Sequence, residues 1–403
     1  MECFLPFLLL TLLFLSDSNC VLDASWWSSV AQLSTANLLA GSGPRPMCLH
    51  LQGLSPGQAR ICELFRDHMP AVGAGAKAAI AECQHQFKNE RWNCSTPYGS
   101  GYVGPVHKLD YISFVSATFD NSNESALSDG LDDIQFPSCE IGRSREAAFT
   151  YSILSAGVTH EVGRRCRLGL LQSCGCSQAA KPSSVSSEWT WGGCGDNVEY
   201  GYRFSRDFID VREKEQGFPK RSNDHGRSLM NRWNNEVGRK LIKRHTRPKC
   251  KCHGVSGACN LKTCWMQLPT MRQMGGVLLN KYRTAKRIQI NARGNMQIMS
   301  QPGKRDRQGG GKRKNRALQT ELVFLDDSPD YCRENRAQGT LGTTGRICRR
   351  GSAGSDGCDV LCCGRGYNSY TKDTETKCRC KFQWCCKVVC QTCINQTQID
   401  ICK

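Results

Sequence analysis

The chain has 403 residues, 27 cysteines, 39% hydrophobic residues and a formal net charge of +18. At the usual ~100 to 200 residues per domain, this length implies two or three domains. Cysteine at this density argues against a reduced cytosolic protein and for a disulfide framework made in the secretory pathway. No internal repeat points to a solenoid.

In chain order, Phe4 to Leu15 is an almost unbroken apolar run followed by small and polar residues. It predicts a signal peptide over 1–20, cleaved near Cys20, although Glu2 stands where a basic residue is usual. No later stretch offers the ~18 apolar residues of a membrane span, so the product is expected to be secreted, in the extracellular space and matrix. Losing Cys3 and Cys20 with the leader leaves 25 of the 27 cysteines.

Residues 21–300 carry helical stripes. Ile61, Leu64, Phe65 and Met69 recur at helical spacing, as do Ile80, Cys83 and Phe87. Ser144 reads as the N-cap of a helix running through Phe149 and Ile153 towards His160. Tyr200, Phe204, Phe208 and Val211 form a fourth stripe, and Met230, Trp233, Val237 and Leu241 a fifth. Together they predict a helical amino-terminal domain. Within it, 109–140 holds seven carboxylates and neither lysine nor arginine, so it reads as an exposed acidic insertion; it also contains Cys139.

Arg287 to Ile298 reads as a hairpin turning at Gly294 and Asn295. The following 301–316, QPGKRDRQGGGKRKNR, has no apolar residue to offset the entropy of ordering and reads as a flexible basic linker. A carboxy-terminal domain is assigned to 317–403, with a strand over Leu322 to Leu325. From Cys332 to Lys403 there are twelve cysteines in 72 residues, well above the ~8 to 10% that marks a disulfide scaffold. The fold class is therefore α+β and disulfide-rich, its tail held by bridges and not by a large core.

For a secreted chain, the positive charge selects sulfated glycosaminoglycans such as heparan sulfate, or acidic membrane surfaces, over nucleic acid. Lys304, Arg305, Arg307, Lys312, Arg313, Lys314 and Arg316 are the candidate site, against the plainer reading of a solvated linker. Glycan sequons occur at Asn93, Asn123 and Asn395, each of which must be exposed to be used.

The most informative segment is 249–265, KCKCHGVSGACNLKTCW. Its cysteines can nest, 250 with 264 and 252 with 259, as a disulfide-closed hairpin with a tip at His253 to Gly257. Ser256 then sits on permissive backbone between Gly254 and Gly257, as a nucleophile, a modification site or an inert residue. The nucleophile reading is weak: Ala258 stands where a G-x-S-x-G elbow needs its last glycine, and His253 lies too close on the same tight hairpin to act as its base. No enzyme activity is expected. Zinc is disfavoured too, because structural sites use C-x(2–4)-C pairs, whereas C-x-C recurs here at 174/176, 250/252 and 378/380.

The segment CHGVSGACNLKTCW resembles the acylated hairpin of Wnt proteins. Further similar motifs are HQFKNERWNCS at 85–95, SREAAFTY at 144–151, WGGCGDN at 191–197, SPDYC at 328–332, DGCDVLCCGRGY at 356–367 and CRCKFQWCCKVVCQTC at 378–393. SREAAFTY and GQARICELFRDHM are most similar to the fifth Wnt subfamily.

The resemblance implies a ligand with a helical amino-terminal domain bearing a lipidated thumb and a small cysteine-rich β-hairpin domain bearing a finger, both gripping the cysteine-rich domain of Frizzled receptors. Ser256 matches the serine to which the acyltransferase Porcupine attaches a palmitoleoyl group, a covalent modification and not a cofactor. Phe382, Trp384, Cys385, Cys386 and Val388 match the finger tip. By the family pattern the remaining bridges are Cys48 with Cys62, Cys83 with Cys94, Cys166 with Cys174, Cys176 with Cys194, Cys332 with Cys363, Cys348 with Cys358, Cys362 with Cys402, Cys378 with Cys393, and Cys380 with Cys390. The family also bonds Cys385 to Cys386, although adjacent α-carbons lie ~3.8 Å apart and disulfides usually want ~4.4 to 6.8 Å. Cys139 is left over. Implied partners are the Wntless carrier and a Ror or LRP-type co-receptor, with output through the polarity/calcium branch. Lys249, Lys251 and Lys262 can meet lipid headgroups or an acidic receptor rim. The alternative is a secreted, matrix-binding structural protein, which needs no lipidated serine. The acidic insertion, Cys139 and the glycine-rich basic linker depart from the family pattern.

Overall fold

The computed structural model describes residue 48 and residues 54–94, 141–299, 320–335 and 340–403. The signal peptide, the acidic insertion with Asn123 and Cys139, and the basic linker lie outside these residues. The chain forms two compact units, one of 1–86 and 96–329, the other of 87–95 and 330–403.

The first unit is built on helices with legible starts. Helix α1 (Pro56–Leu64) begins at a capping box, in which the Ser55 side chain accepts from Gln58 N at 3.3 Å and Ser55 N donates to Gln58 Oε1 at 3.1 Å, with proline in the first turn. The expected stripe Ile61, Leu64, Phe65, Met69 is not its buried face. The chain breaks helical geometry at Phe65, φ −129 and ψ 54, and restarts as α2 (Met69–Gln86). Leu64 is therefore 72% exposed, and Gln58, Ala59 and Cys62 face inward.

Helix α3 (Arg145–Arg167) starts where Ser144 accepts from Ala147 N at 3.4 Å and ends with three arginines that complement its dipole. It runs well past His160 and is buried on nearly every side. Helices α4 (Val198–Glu215), α5 (Asn223–His245) and α6 (Met271–Arg283) pack on it, capped by Asn197, Ser222 and Thr270. Approach this close requires glycine. A Cβ at Gly157 would lie 2.3 Å from Gly75 O, one at Gly201 2.3 Å from Thr159 O, and one at Gly238 2.0 Å from Ser152 O. Phe149, Ile153, Leu154, Phe208 and Met230 fill the remaining space.

A buried polar network crosses the bundle. Arg239, 1% exposed at its side chain, donates to Asp210 through Nη1 at 3.1 Å and Nη2 at 2.7 Å, and Asn235 adds a bond to Asp210 at 3.1 Å. Glu236 accepts from Arg239 and from the Tyr202 hydroxyl at 2.5 Å. Burial first, then the Glu236 carboxylate, push the Tyr202 phenol up to about 12.

Three small strands, β1 (Thr190–Trp191), β2 (Arg247–Cys252) and β3 (Lys262–Gln267), form a sheet in the order β1-β3-β2. A second sheet is β4 (Lys286–Ile290), β5 (Met296–Ile298) and β6 (Val323–Phe324), in the order β5-β4-β6. Its hairpin turns through Gly294 at φ +78. Residues 320–329 were expected in the carboxy-terminal domain but belong to the first unit. The reason is burial: Val323 and Phe324 join the core cluster of Ala147, Tyr151, Met230 and Ile288, and Asn234 bonds both backbone groups of Val323.

The second unit has little apolar interior. Its core cluster is Cys348, Cys358, Leu361, Cys362 and Cys402, with Tyr367 packed against it. Bridges Cys332–Cys363, Cys348–Cys358 and Cys362–Cys402 tie it together. Residues 87–95 belong to this unit because the Arg346 guanidinium donates to the carbonyls of Lys88, Glu90 and Arg91 at 3.0, 2.7 and 2.7 Å, and Arg91 in turn donates to Val360 O. Strands β7 (Glu334–Asn335), β8 (Thr340–Leu341) and β9 (Ile347–Cys348) and the short α7 (Cys358–Leu361) frame the base of a long ribbon, β10 (Tyr367–Gln383) with β11 (Lys387–Cys402). Among the described residues, no helix is long and apolar enough to cross a membrane.

Candidate functional site

Each unit ends in a stapled hairpin, and the two carry different chemistry. In the first, β2 and β3 pair antiparallel with Cys250 opposite Cys264, so that disulfide is a rung of the ladder, Cα–Cα 4.1 Å. Cys252–Cys259 closes the loop above it. Four backbone bonds then define the tip: His253 N to Leu261 O and Gly254 N to Ala258 O, both 2.8 Å, Gly257 N to Gly254 O at 3.0 Å and Ala258 N to Val255 O at 3.1 Å. With its sulfurs in bridges, the Cys250, Cys252 and His253 set is not a zinc site.

Ser256 takes φ +56, ψ +26 and Gly257 φ +79, two left-handed residues in succession. This turns the chain sharply and leaves the Ser256 side chain exposed beside Val255, which is 91% exposed. Left-handed backbone costs a non-glycine residue free energy and persists where surrounding bonds over-determine it; here the two disulfides and four tip bonds do so. Gly254 is equally constrained, since a Cβ there would lie 2.4 Å from Ala258 O.

Sequence reasoning did not anticipate the support beneath this hairpin. Strand β1 adds alongside β3, pairing Thr190 with Thr263 and Trp191 with Cys264. Gly193 lets the chain lie against Trp265, where a Cβ would come within 2.8 Å of the indole, and Gly195 does the same against the Met266 backbone. The usable signal was WGGCG, whose small residues permit close approach. Lys249 and Lys251 are exposed, whereas the Lys262 ammonium sits 4.0 Å from the centroid of the Trp189 ring. Lys262 therefore braces the hairpin base and is less free than the other two to meet an outside partner.

The second hairpin is the β10–β11 ribbon, paired from Tyr367–Cys402 to Gln383–Lys387 with a bulge between Cys378 and Lys381, where Arg379 is left-handed. Cys378–Cys393 staples it at the edge of the bulge and Cys380–Cys390 within the bulge. At its tip Trp384 is 94% exposed, Phe382 69% and Val388 61%. These apolar side chains are exposed together on a tip held by two disulfides. One expected bond is corrected. Cys385 and Cys386 are unbonded, their sulfurs 3.8 Å apart, because the tip turn holds both residues left-handed, at φ +69 and +80, and adjacent α-carbons are closer than a disulfide favours.

Elsewhere the disulfides are Cys48–Cys62, Cys166–Cys174 and Cys176–Cys194, and both Cys83 and Cys94 are disulfide-bonded. The three sulfurs of Cys348, Cys358 and Cys362 converge, but each belongs to a bridge and so is not available to a metal. Asn395 is exposed on the ribbon, and Asn93 is half-buried.

The two stapled tips thus present a hydroxyl on one and aromatic and aliphatic groups on the other. The wnt family model matches residues 50–144 and 133–403. The chain is 60% identical over 395 residues to Protein Wnt-2 of Caenorhabditis elegans, covering 98% of each, and 43% identical over 379 residues to Protein Wnt-5b of Xenopus laevis, covering 94% of this chain and 93% of that one. A chain in the solved structure titled human WLS in complex with WNT8A matches it with a TM-score of 0.51 at 30% identity, over 92% of this chain and all of that one. The chain belongs to the Wnt family. Wnt proteins are secreted signalling ligands, not enzymes, and carry no cofactor.

Proposed function

We propose that the protein is a lipid-modified ligand of Frizzled receptors, acylated by Porcupine with a palmitoleoyl group on Ser256, and that this group and the apolar finger both bind the receptor's cysteine-rich domain. The observation that carries the reading is Ser256 itself, an exposed hydroxyl held left-handed at the tip of a doubly bridged hairpin. Such a tip fits a modifying enzyme and then projects the acyl chain away from the fold. Burying methylenes contributes ~0.8 kcal/mol each, so about a dozen of them in a receptor groove supply on the order of 10 kcal/mol. The same chain is a liability in water and calls for a carrier. Similarity to the chain solved with WLS supports Wntless in that role.

The identity to Wnt-5b supports a Ror-type over an LRP-type co-receptor and output through the polarity/calcium branch. The basic residues between Lys304 and Arg316 supply the heparan sulfate contact, and sequons at Asn93, Asn123 and Asn395 the glycans. The test is Ser256→Ala, followed by mass spectrometry of the 253–258 peptide, detergent partitioning, secretion and binding to Frizzled cysteine-rich domains. Losing one exposed oxygen leaves the fold intact, so the variant is expected to partition into water, leave the cell poorly and lose most receptor affinity. Full affinity in a variant shown to lack the lipid would overturn the reading.

A further inference from the structure

The β10–β11 ribbon has two chemically different faces, set by its register. Opposite residues share a face and successive residues alternate. Phe382 lies opposite Val388, and Ile394 opposite Glu375, so Val388, Cys390 and Ile394, at even positions of β11, look out on one side with Phe382. Ile394 is 65% exposed, with no core to explain it. It repeats the apolar character of the tip about 20 Å down the shaft at ~3.4 Å per residue, on the same face and beyond Cys390 and the Thr392–Lys377 pair. Asn395, at an odd position opposite Thr374, looks out on the other side with Lys387, Gln391 and Thr397, where Val389 near the tip is the apolar member at 42% exposed. It is exposed, lies in the sequon Asn395-Gln396-Thr397, and its side chain donates only to Thr376 Oγ1 on the same face, at 3.3 Å.

We propose that the finger is one-sided: it carries an N-linked glycan on Asn395 across its back and meets its partner with the Phe382, Val388 and Ile394 face, so that the contact reaches down the shaft and the glycan forbids the reverse docking. The inference rests on the receptor reading above, and sharing one face with the exposed tip commits Ile394 to that same partner. A glycan is bulky and hydrophilic, so a contact face cannot tolerate one, whereas a back face can.

The test moves the sugar by one residue. The full-length secreted protein is compared with Asn395→Gln, with the triple variant Ile394→Asn/Asn395→Gln/Gln396→Thr, with Ile394→Lys and with Trp384→Ala. Glycan occupancy is read from the mass lost on peptide N-glycosidase treatment, and affinity by interferometry on a Frizzled cysteine-rich domain. Wild type is expected to lose a glycan at Asn395, and Asn395→Gln to bind as wild type does. The triple variant, glycosylated at position 394, is expected to bind at least about a hundredfold more weakly. Ile394→Lys, which needs no glycan and covers the case in which the triple variant is not secreted, is expected to lose about tenfold, as for an apolar side chain removed from a buried contact. An empty Asn395, or a glycan at 394 that leaves affinity within threefold, overturns the sidedness. Trp384→Ala separates that outcome from failure of the receptor reading, because undiminished affinity in this variant removes the finger from the interface altogether.

Discussion

Gly157→Ala tests whether the bundle is set by backbone contact. Gly157 on α3 crosses Gly75 on α2, and an added Cβ would lie 2.3 Å from Gly75 O and 2.9 Å from the Ala79 Cβ, against an ordinary contact of 3.4 Å or more. The obstructing atom is backbone and cannot rotate away, so the two helices must separate by about 1 Å. Overpacking of this kind costs ~1 to 3 kcal/mol, and alanine's better helix propensity returns ~1 kcal/mol. A net loss of up to about 2 kcal/mol, at ~2 to 4 °C per kcal/mol for a unit of this size, lowers the melting temperature by up to about 8 °C. Gly276→Ala on α6 is the control, because nothing lies within 4 Å of its added Cβ. The propensity gain of ~0.5 to 1 kcal/mol is then uncompensated, and the melt rises. Circular dichroism at 222 nm on the secreted variants reads both. Equal shifts in the two variants, or a rise for Gly157→Ala, would refute contact-limited packing of α2 on α3.

Arg239→Met leaves Asp210 buried without its bidentate partner, so a loss of about 3 to 5 kcal/mol is expected, seen as retention in the cell and an early urea midpoint. Asp210→Leu/Arg239→Met removes both charges and should recover much of it; equal losses in single and double variants would argue against the ion pair as the cause. Tyr202, whose phenol is held up to about 12, keeps its proton longer in the folded state than in the unfolded one. Its contribution to stability is therefore whole below the ordinary tyrosine range near pH ~10 and lost as pH rises towards 12. Absorbance titration at 295 nm should show a late-ionising tyrosine that Tyr202→Phe removes.

Much of the candidate site was legible in the chain because its chemistry is local. The spacing of Cys250, Cys252, Cys259 and Cys264 encodes a nested hairpin, and glycines at 254 and 257 mark where the backbone must turn with a serine between them. Helix starts were equally local, since Ser144 caps through a bond to a residue three positions on. What the sequence could not decide were properties that depend on distant neighbours. The stripe at Ile61 and Leu64 has helical spacing, yet which side of α1 faces inward is set by partners such as Phe208, whose carbonyl accepts from Gln58. The assignment of Val323 and Phe324 to the first unit turns on α5, some ninety positions earlier, and the membership of 87–95 in the second turns on Arg346. The two faces of the finger emerge only from its register, because a single-residue slip would exchange Ile394 and Asn395 between front and back. Local bonding rules are written in neighbouring residues, whereas burial and register are settled by whichever distant surfaces the fold brings together.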